Sequence, residues 1–137
     1  RDNARTPMQW NAGENAGFST GTPWMPVNPN YAQINAEAAL ADENSVFHYY
    51  QKLIRLRKSI PEFRDGSFSL VDPDHEYVFA YTRDTENGHM LVVCNFTEQE
   101  GYFRIPEEFE GAEVLISNYE GESEKLRPYE AKILYRK

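Results

Sequence analysis

The chain has 137 residues and a single cysteine, Cys94. No internal disulfide can form, and thiolates alone cannot build a zinc site. Histidine is almost as scarce: His48, His75 and His89 lie far apart, with no second ligand at the short spacings that metal sites use. Positive charge is also in deficit, with 14 Lys and Arg against 22 Asp and Glu and a net charge of −8. Nucleic-acid binders cluster Lys and Arg to displace counterions from phosphates; no such cluster is visible, so no nucleic-acid partner is expected. No apolar run approaches the roughly 18 residues a membrane span requires, which excludes a spanning helix. The glycine-rich phosphate loops and the GxSxG elbow are absent as well. No cofactor and no metal are expected. The lone cysteine fits a cytoplasmic protein, and Leu91-Val92-Val93 before it point to a buried structural thiol. The sequon Asn95-Phe96-Thr97 ends an apolar run and reads as fortuitous.

Aromatic residues, by contrast, are plentiful: nine Tyr, eight Phe and two Trp. Each buries a large area, so a domain of about 70 residues can build a core from them. Their surroundings divide the chain into three. Residues 1 to 43 carry Pro, Gly and Asn punctuation without a sustained period, and only a short helical turn near Asn35 to Ala41 is expected there. Met8, Trp10, Phe18, Trp24, Met25, Val27 and Tyr31 make this stretch too apolar for a solvated tail. It reads as a segment that packs against something larger. Residues 44 to 59 read as a helix: Asn44 or Ser45 can cap it, and Val46, Tyr49, Leu53, Leu56 and Ile60 form one stripe. Cations gather toward its C-terminal end and Pro61 stops it. From Gly66 onward the pattern is short strands between turns: Ser67 to Val71, Tyr77 to Arg83, Met90 to Asn95, Tyr102 to Ile105, Glu113 to Ser117 and Ala131 to Tyr135. Asp72-Pro73-Asp74 and Asn87-Gly88 mark turns, the latter a hairpin. The fold expected is mostly β: a C-terminal antiparallel β-sandwich preceded by a helix and a long irregular segment.

None of this supplies a reaction. Paired carboxylates need burial or close company to split their pKa values. Glu98, Glu100, Glu107, Glu108 and Glu120 to Glu124 lie in polar, turn-like stretches and read as solvated faces.

The opening Arg1-Asp2-Asn3-Ala4-Arg5-Thr6-Pro7-Met8-Gln9-Trp10 resembles bacterial oligo-1,6-glucosidases and their relatives in glycoside hydrolase family 13. The likeness continues in Ala16-Gly17-Phe18, Gly21-Thr22-Pro23-Trp24, Val27-Asn28-Pro29-Asn30-Tyr31, Phe47 to Ile54, Val93 to Thr97 and Leu126 to Ala131. It covers essentially the whole chain. What the resemblance implies is an enzyme with a (β/α)₈ barrel whose loops at the strand C-termini hold the active site. Residues 1–65 would be the end of that barrel, with the β8–α8 connection and the closing helix; residues 66–137 would be the all-β C-terminal domain. The opening without an initiator Met fits a piece excised from such a protein.

A retaining glycosidase needs two carboxyl groups about 5 Å apart. In this family both, and a third stabilising Asp, come from strands before Arg1, so no catalytic residue and no activity are expected in this segment. Arg1 matches the family's Arg that hydrogen-bonds the non-reducing sugar, a role suited to its fork of donors; Arg5 reads as structural. Asn11 stands where many relatives have Asp. The partners implied are the barrel and a short α-gluco-oligosaccharide, with self-association of the segment where the barrel is absent. The substrate expected is an α-1,6-linked oligosaccharide, with trehalose 6-phosphate the first alternative. A different class remains open, a sugar-binding or structural module displaying Tyr102, Tyr119 and Tyr129.

Overall fold

The structure, a computed structural model, describes residues 2–121 and 123–137. The chain divides into two compact units, Arg1–Lys52 and Leu53–Lys137.

In the first unit, irregular backbone is held by side-chain and backbone hydrogen bonds instead of a core. Helix α1 (Ala36–Ala41) forms where the sequence suggests a helical turn. Asn35 caps it, accepting from the Ala38 amide at 2.8 Å and donating to Tyr31 O at 2.9 Å. Two of its free N-terminal amides are met from afar: Ala36 N–H donates to Gln9 O and Glu37 N–H to Trp10 O. Gln9 Nε2 in turn donates to Asn30 Oδ1 (3.0 Å) and to Ile34 O. Trp10 and Asn11 both donate their amides to Ala16 O. Asn15, Ala16 and Gly17 follow one another with φ of 50°, 56° and 66°. Gly17 must be glycine twice over: its φ is left-handed, and a Cβ there would lie 2.5 Å from Asn11 Nδ2.

The apolar residues of this unit remain largely bare. Trp24 is 86% exposed, and Met8, Trp10, Phe18, Ile34 and Leu40 are all exposed. Helix α2 (Val46–Ser59) carries the expected stripe yet contains no buried residue. Ser45 sits at its start, donating to Ala39 O at 2.6 Å and accepting weakly from the His48 amide. Pro61 ends α2, as its chemistry requires, but also begins a further helical turn, α3 (Glu62–Asp65). Proline suits a first helical position because the amide it lacks has no partner there.

The second unit is built on one five-stranded antiparallel sheet in the order β1-β2-β3-β5-β4. The strands are β1 (Ser67–Val71), β2 (Val78–Asp84), β3 (His89–Asn95), β4 (Glu113–Ser117) and β5 (Ala131–Arg136). Central β3 is apolar without alternation, and Met90 to Val93 are all buried, because both of its faces are covered. One face carries the core: Val78, Ala80, Leu91, Val93 and Leu134 from the sheet meet Phe103, Phe109 and Leu126 from the connecting segments. This opposing layer of the sandwich is irregular and closed by one bridge, Gly101 with Leu126.

One strand reading shifts. Residues 102–105 alternate as a strand should, Phe103 buried and Tyr102 exposed, but they lie beside no partner strand and form no ladder. In β2 the core takes Val78 and Ala80, while Phe79 and Tyr81 turn to the other face. There they form an aromatic row with Phe68 and Phe96, ring centroids 5.2–6.4 Å apart.

Candidate functional site

Arg1, the residue for which family resemblance implies sugar binding, lies outside the described residues. Arg5 is exposed at the end of a 3₁₀ turn, Asp2–Arg5. In the segment that follows, the left-handed turn at Asn15 to Gly17 is tied on both sides. Asn15 Nδ2 donates to Ser19 O and Gly21 O, and Ala16 O receives two amides. Left-handed backbone at a non-glycine residue costs about 1 kcal/mol or more and persists only where surroundings impose it. The motif thus produces a fixed loop that presents Trp10 and Phe18 outward, both about half exposed.

Two carboxylates are buried among the described residues, Glu62 and Glu130, each 2% exposed. A glycosidase pair would share a substrate-sized gap; these two share no partner. Glu130 belongs to a clip on β5. Its Oε2 accepts from the Arg127 backbone amide at 2.8 Å and from Arg127 Nε at 2.9 Å, and Lys132 Nζ stands 3.7 Å from Oε1. Burial pushes its carboxyl up, but the Arg127 bonds and the Lys132 charge outweigh that and hold it below its ordinary value. Arg127 also donates to Glu120 O and Gly121 O and stacks 4.3 Å from the Tyr119 ring centre. The clip therefore fastens the loop after β4 to β5. The Glu62 carboxylate meets no cation among the described residues; Thr85 Oγ1 donates to its Oε1 at 2.6 Å and Tyr135 Oη to its Oε2 at 3.4 Å.

The histidines have separate duties. His75 Nδ1 accepts from the Val78 amide at 3.1 Å, and its Nε2–H donates to Tyr102 O at 3.1 Å. That assignment gives a neutral ring pinning the turn before β2. His48 Nε2 bonds Leu40 O at 3.1 Å. His89 Nδ1 lies 3.0 Å from Asp84 Oδ1, whose other oxygen accepts from Thr82 Oγ1 at 2.6 Å. These three side chains line a cavity of about 480 Å³ with Glu108, Phe109 and Arg136. The order is wrong for nucleophilic chemistry. The carboxylate sits between imidazole and hydroxyl, so the imidazole does not reach the hydroxyl proton. Among the described residues no three His, Cys, Asp or Glu side chains converge as a metal site.

Asn95 of the sequon is 3% exposed. Its Nδ2 donates to Gln99 O (2.7 Å) and Arg127 O (3.0 Å), while Oδ1 accepts from the Thr97 amide and hydroxyl. The amide nitrogen is committed to the fold and closed to glycosylation in the folded chain. Cys94 is half-buried, and burial pushes its thiol up, away from the reactive thiolate. Of the tyrosines that could form a sugar platform, Tyr119 has one face under Arg127 and its hydroxyl on Pro128 O. Tyr102 and Tyr129 are exposed, and Tyr129 holds a left-handed φ of 54°. The sequence marks Glu62 by no periodicity; Glu130 has one faint signal, an arginine three residues before it.

Residues 1–66 match the family model of the alpha amylase catalytic domain, and residues 68–133 that of the maltogenic amylase C-terminal domain. The chain thus joins a segment like part of an amylase catalytic domain to an antiparallel β domain like an amylase C-terminal domain. An oligo-1,6-glucosidase of Parageobacillus thermoglucosidasius is 51% identical over 97% of this chain and 25% of its own length. A trehalose-6-phosphate hydrolase of Bacillus subtilis (strain 168) is 48% identical over 99% of this chain and 26% of its own. The crystal structure of Bacillus licheniformis trehalose-6-phosphate hydrolase superposes with a TM-score of 0.91 at 42% identity, covering 98% of this chain and 26% of that one. The chain belongs to glycoside hydrolase family 13. It spans about a quarter of the length of the curated relatives it matches.

Proposed function

We propose that this chain is the C-terminal quarter of a retaining α-glucosidase. The intact enzyme releases glucose from the non-reducing end of short α-1,6-linked oligosaccharides, and this quarter alone is non-catalytic. The division falls at 65/66, with residues 1–65 completing a (β/α)₈ barrel and residues 66–137 forming the β domain. The reading rests above all on one observation: a Trp-rich segment, and Val46, Phe47, Tyr50 and Ile54 of α2, are left exposed in this chain. Apolar area of that extent belongs against another surface, and the match of residues 1–66 to an amylase catalytic domain supports a barrel as that surface. Without it, the chain self-associates through the same residues. The intact enzyme works in the cytoplasm, in keeping with a lone, half-buried thiol.

In the full-length enzyme Arg1 hydrogen-bonds the hydroxyls of the terminal glucose. Arg1→Ala should lower kcat/KM about 10–100-fold on every α-glucoside, the loss of a hydrogen bond to a charged donor. Steady-state kinetics with isomaltose and trehalose 6-phosphate test both parts. Isomaltose should be turned over faster, and an Arg1→Ala enzyme with unchanged kcat/KM removes the role given to Arg1. Turnover of trehalose 6-phosphate alone would make the second relative the better guide; its 48% identity is only slightly below the first.

A further inference from the structure

Gly88 closes the hairpin between β2 and β3, in an Asn-Gly pair whose usual reason is left-handed backbone. That reason does not hold here. The left-handed glycines among the described residues are Gly17, Gly111 and Gly121. What Gly88 lacks room for is a side chain: a Cβ would lie 2.6 Å from Tyr135 Oη and 2.7 Å from Glu62 Oε1. Both atoms belong to one buried polar group. Glu62, 2% exposed, reaches from α3 into the sheet and receives Thr85 Oγ1 and Tyr135 Oη. Burial, and the Glu62 carboxylate beside it, push the Tyr135 phenol up, so it stays protonated and able to donate. From β2, the Arg83 guanidinium holds the other end of the same turn: Nε donates to Glu62 O at 3.4 Å and Nη2 to Arg64 O at 3.2 Å. A cation on the last carbonyls of a helical turn is favourable there. Gly66 then lets the chain leave closely, since a Cβ would lie 2.8 Å from Glu62 O.

We propose that Glu62 is a plug and that Thr85, Gly88 and Tyr135 are its socket, a joint fastening the end of the catalytic-domain segment to the β domain. The partners lie up to 73 residues apart in sequence, and they come from α3, the hairpin and β5. Gly88 is glycine because the plug occupies its side-chain space. The joint stands independently of which glycoside the whole enzyme cleaves.

The test is a substitution cycle on the 137-residue chain, followed by urea unfolding. Gly88→Ala in the natural sequence should lower the folding equilibrium constant by roughly 10-fold or more, the effect of overpacking a filled site. In a Glu62→Ala/Tyr135→Phe background, which removes both colliding oxygens, the same substitution should cost less than about threefold. An equal cost in both backgrounds would overturn the joint and return Gly88 to an ordinary turn role. Should that background fail to fold cooperatively, hydrogen exchange on the single Gly88→Ala chain decides. The Asp65 and Gly66 amides, which bond Pro61 O and Glu62 O, should gain more in exchange rate than Val92 and Val93, whose rise of about 10-fold reports the global loss alone. Extra acceleration confined to Thr85, whose amide bonds Gly88 O, would also overturn the joint.

Discussion

Replacing Glu130 by alanine should cost about 3–4 kcal/mol of unfolding free energy, because it strips a buried carboxylate from two Arg127 donors and Lys132 at once. The lower part of the usual range for broken buried pairs applies, since the Arg127 side chain is 22% exposed and can be rehydrated. The backbone amide of Arg127 has less freedom to find water. The same clip predicts the acid limb of the stability curve. In the folded chain the Glu130 carboxyl is held below its ordinary value of 4.5. A depressed acid stabilises fully above that ordinary value and loses its contribution as pH falls toward the folded-state value. Urea midpoints of the natural chain should therefore be level above about pH 5 and fall steeply below about 4.5. In Glu130→Gln the midpoint should start lower and fall less. Parallel curves for the two proteins would show that other carboxylates govern the acid limb.

The second large effect separates the two faces of the sheet. Leu91 is fully buried in the core cluster with Val78, Ala80 and Leu134, and Leu91→Ala should cost about 2–5 kcal/mol through lost transfer energy and the cavity left behind. Phe79, on the neighbouring strand but the opposite face, is 44% exposed. Phe79→Ala should cost about 1 kcal/mol or less in this chain despite deleting more atoms, because much of the ring is already in water. Equal losses would mean that both faces are sealed.

The face assignment is also where sequence reasoning meets its limit. The alternation of Tyr77, Phe79 and Tyr81 is plain, but alternation alone cannot say which side is core. Size favours the aromatics, yet the smaller Val78 and Ala80 face Phe103 and Phe109, which fill that layer. The strands themselves were legible within a residue or so, because each is an apolar run between Gly, Pro or Asn turns. Residues 102–105 misled for a related reason: inward–outward alternation records burial, not pairing, and here a covering segment lies over the core without a ladder. Helix α2 was legible from its 3.6-residue period; α3 was not, since four residues carry no period and Pro61 reads as a stop.

The site was less legible than the fold. Resemblance alone points to Arg1, which lies outside the described residues, while the buried carboxylates Glu62 and Glu130 stood apart from the acidic clusters that composition brings forward. The described members of those clusters are exposed, as solvated faces should be, and Glu122 lies outside the described residues. A single buried acid is chosen by partners such as Tyr135, distant in sequence, and leaves almost no local mark. The apolar content of residues 1–43 was the most informative signal. It pointed to an absent surface, and the structure leaves Trp24, Ile34 and Leu40 uncovered.

The central claim, that this quarter folds but carries no catalytic pair, is tested most directly by assaying the 137-residue chain itself. p-Nitrophenyl α-glucoside, isomaltose and trehalose 6-phosphate serve as substrates, with circular dichroism confirming the β structure in the same preparation. The account predicts β signal and no turnover above a mock preparation for all three. Turnover well above the mock, abolished by substituting a single residue of this chain such as Glu62 or Glu130, would contradict it.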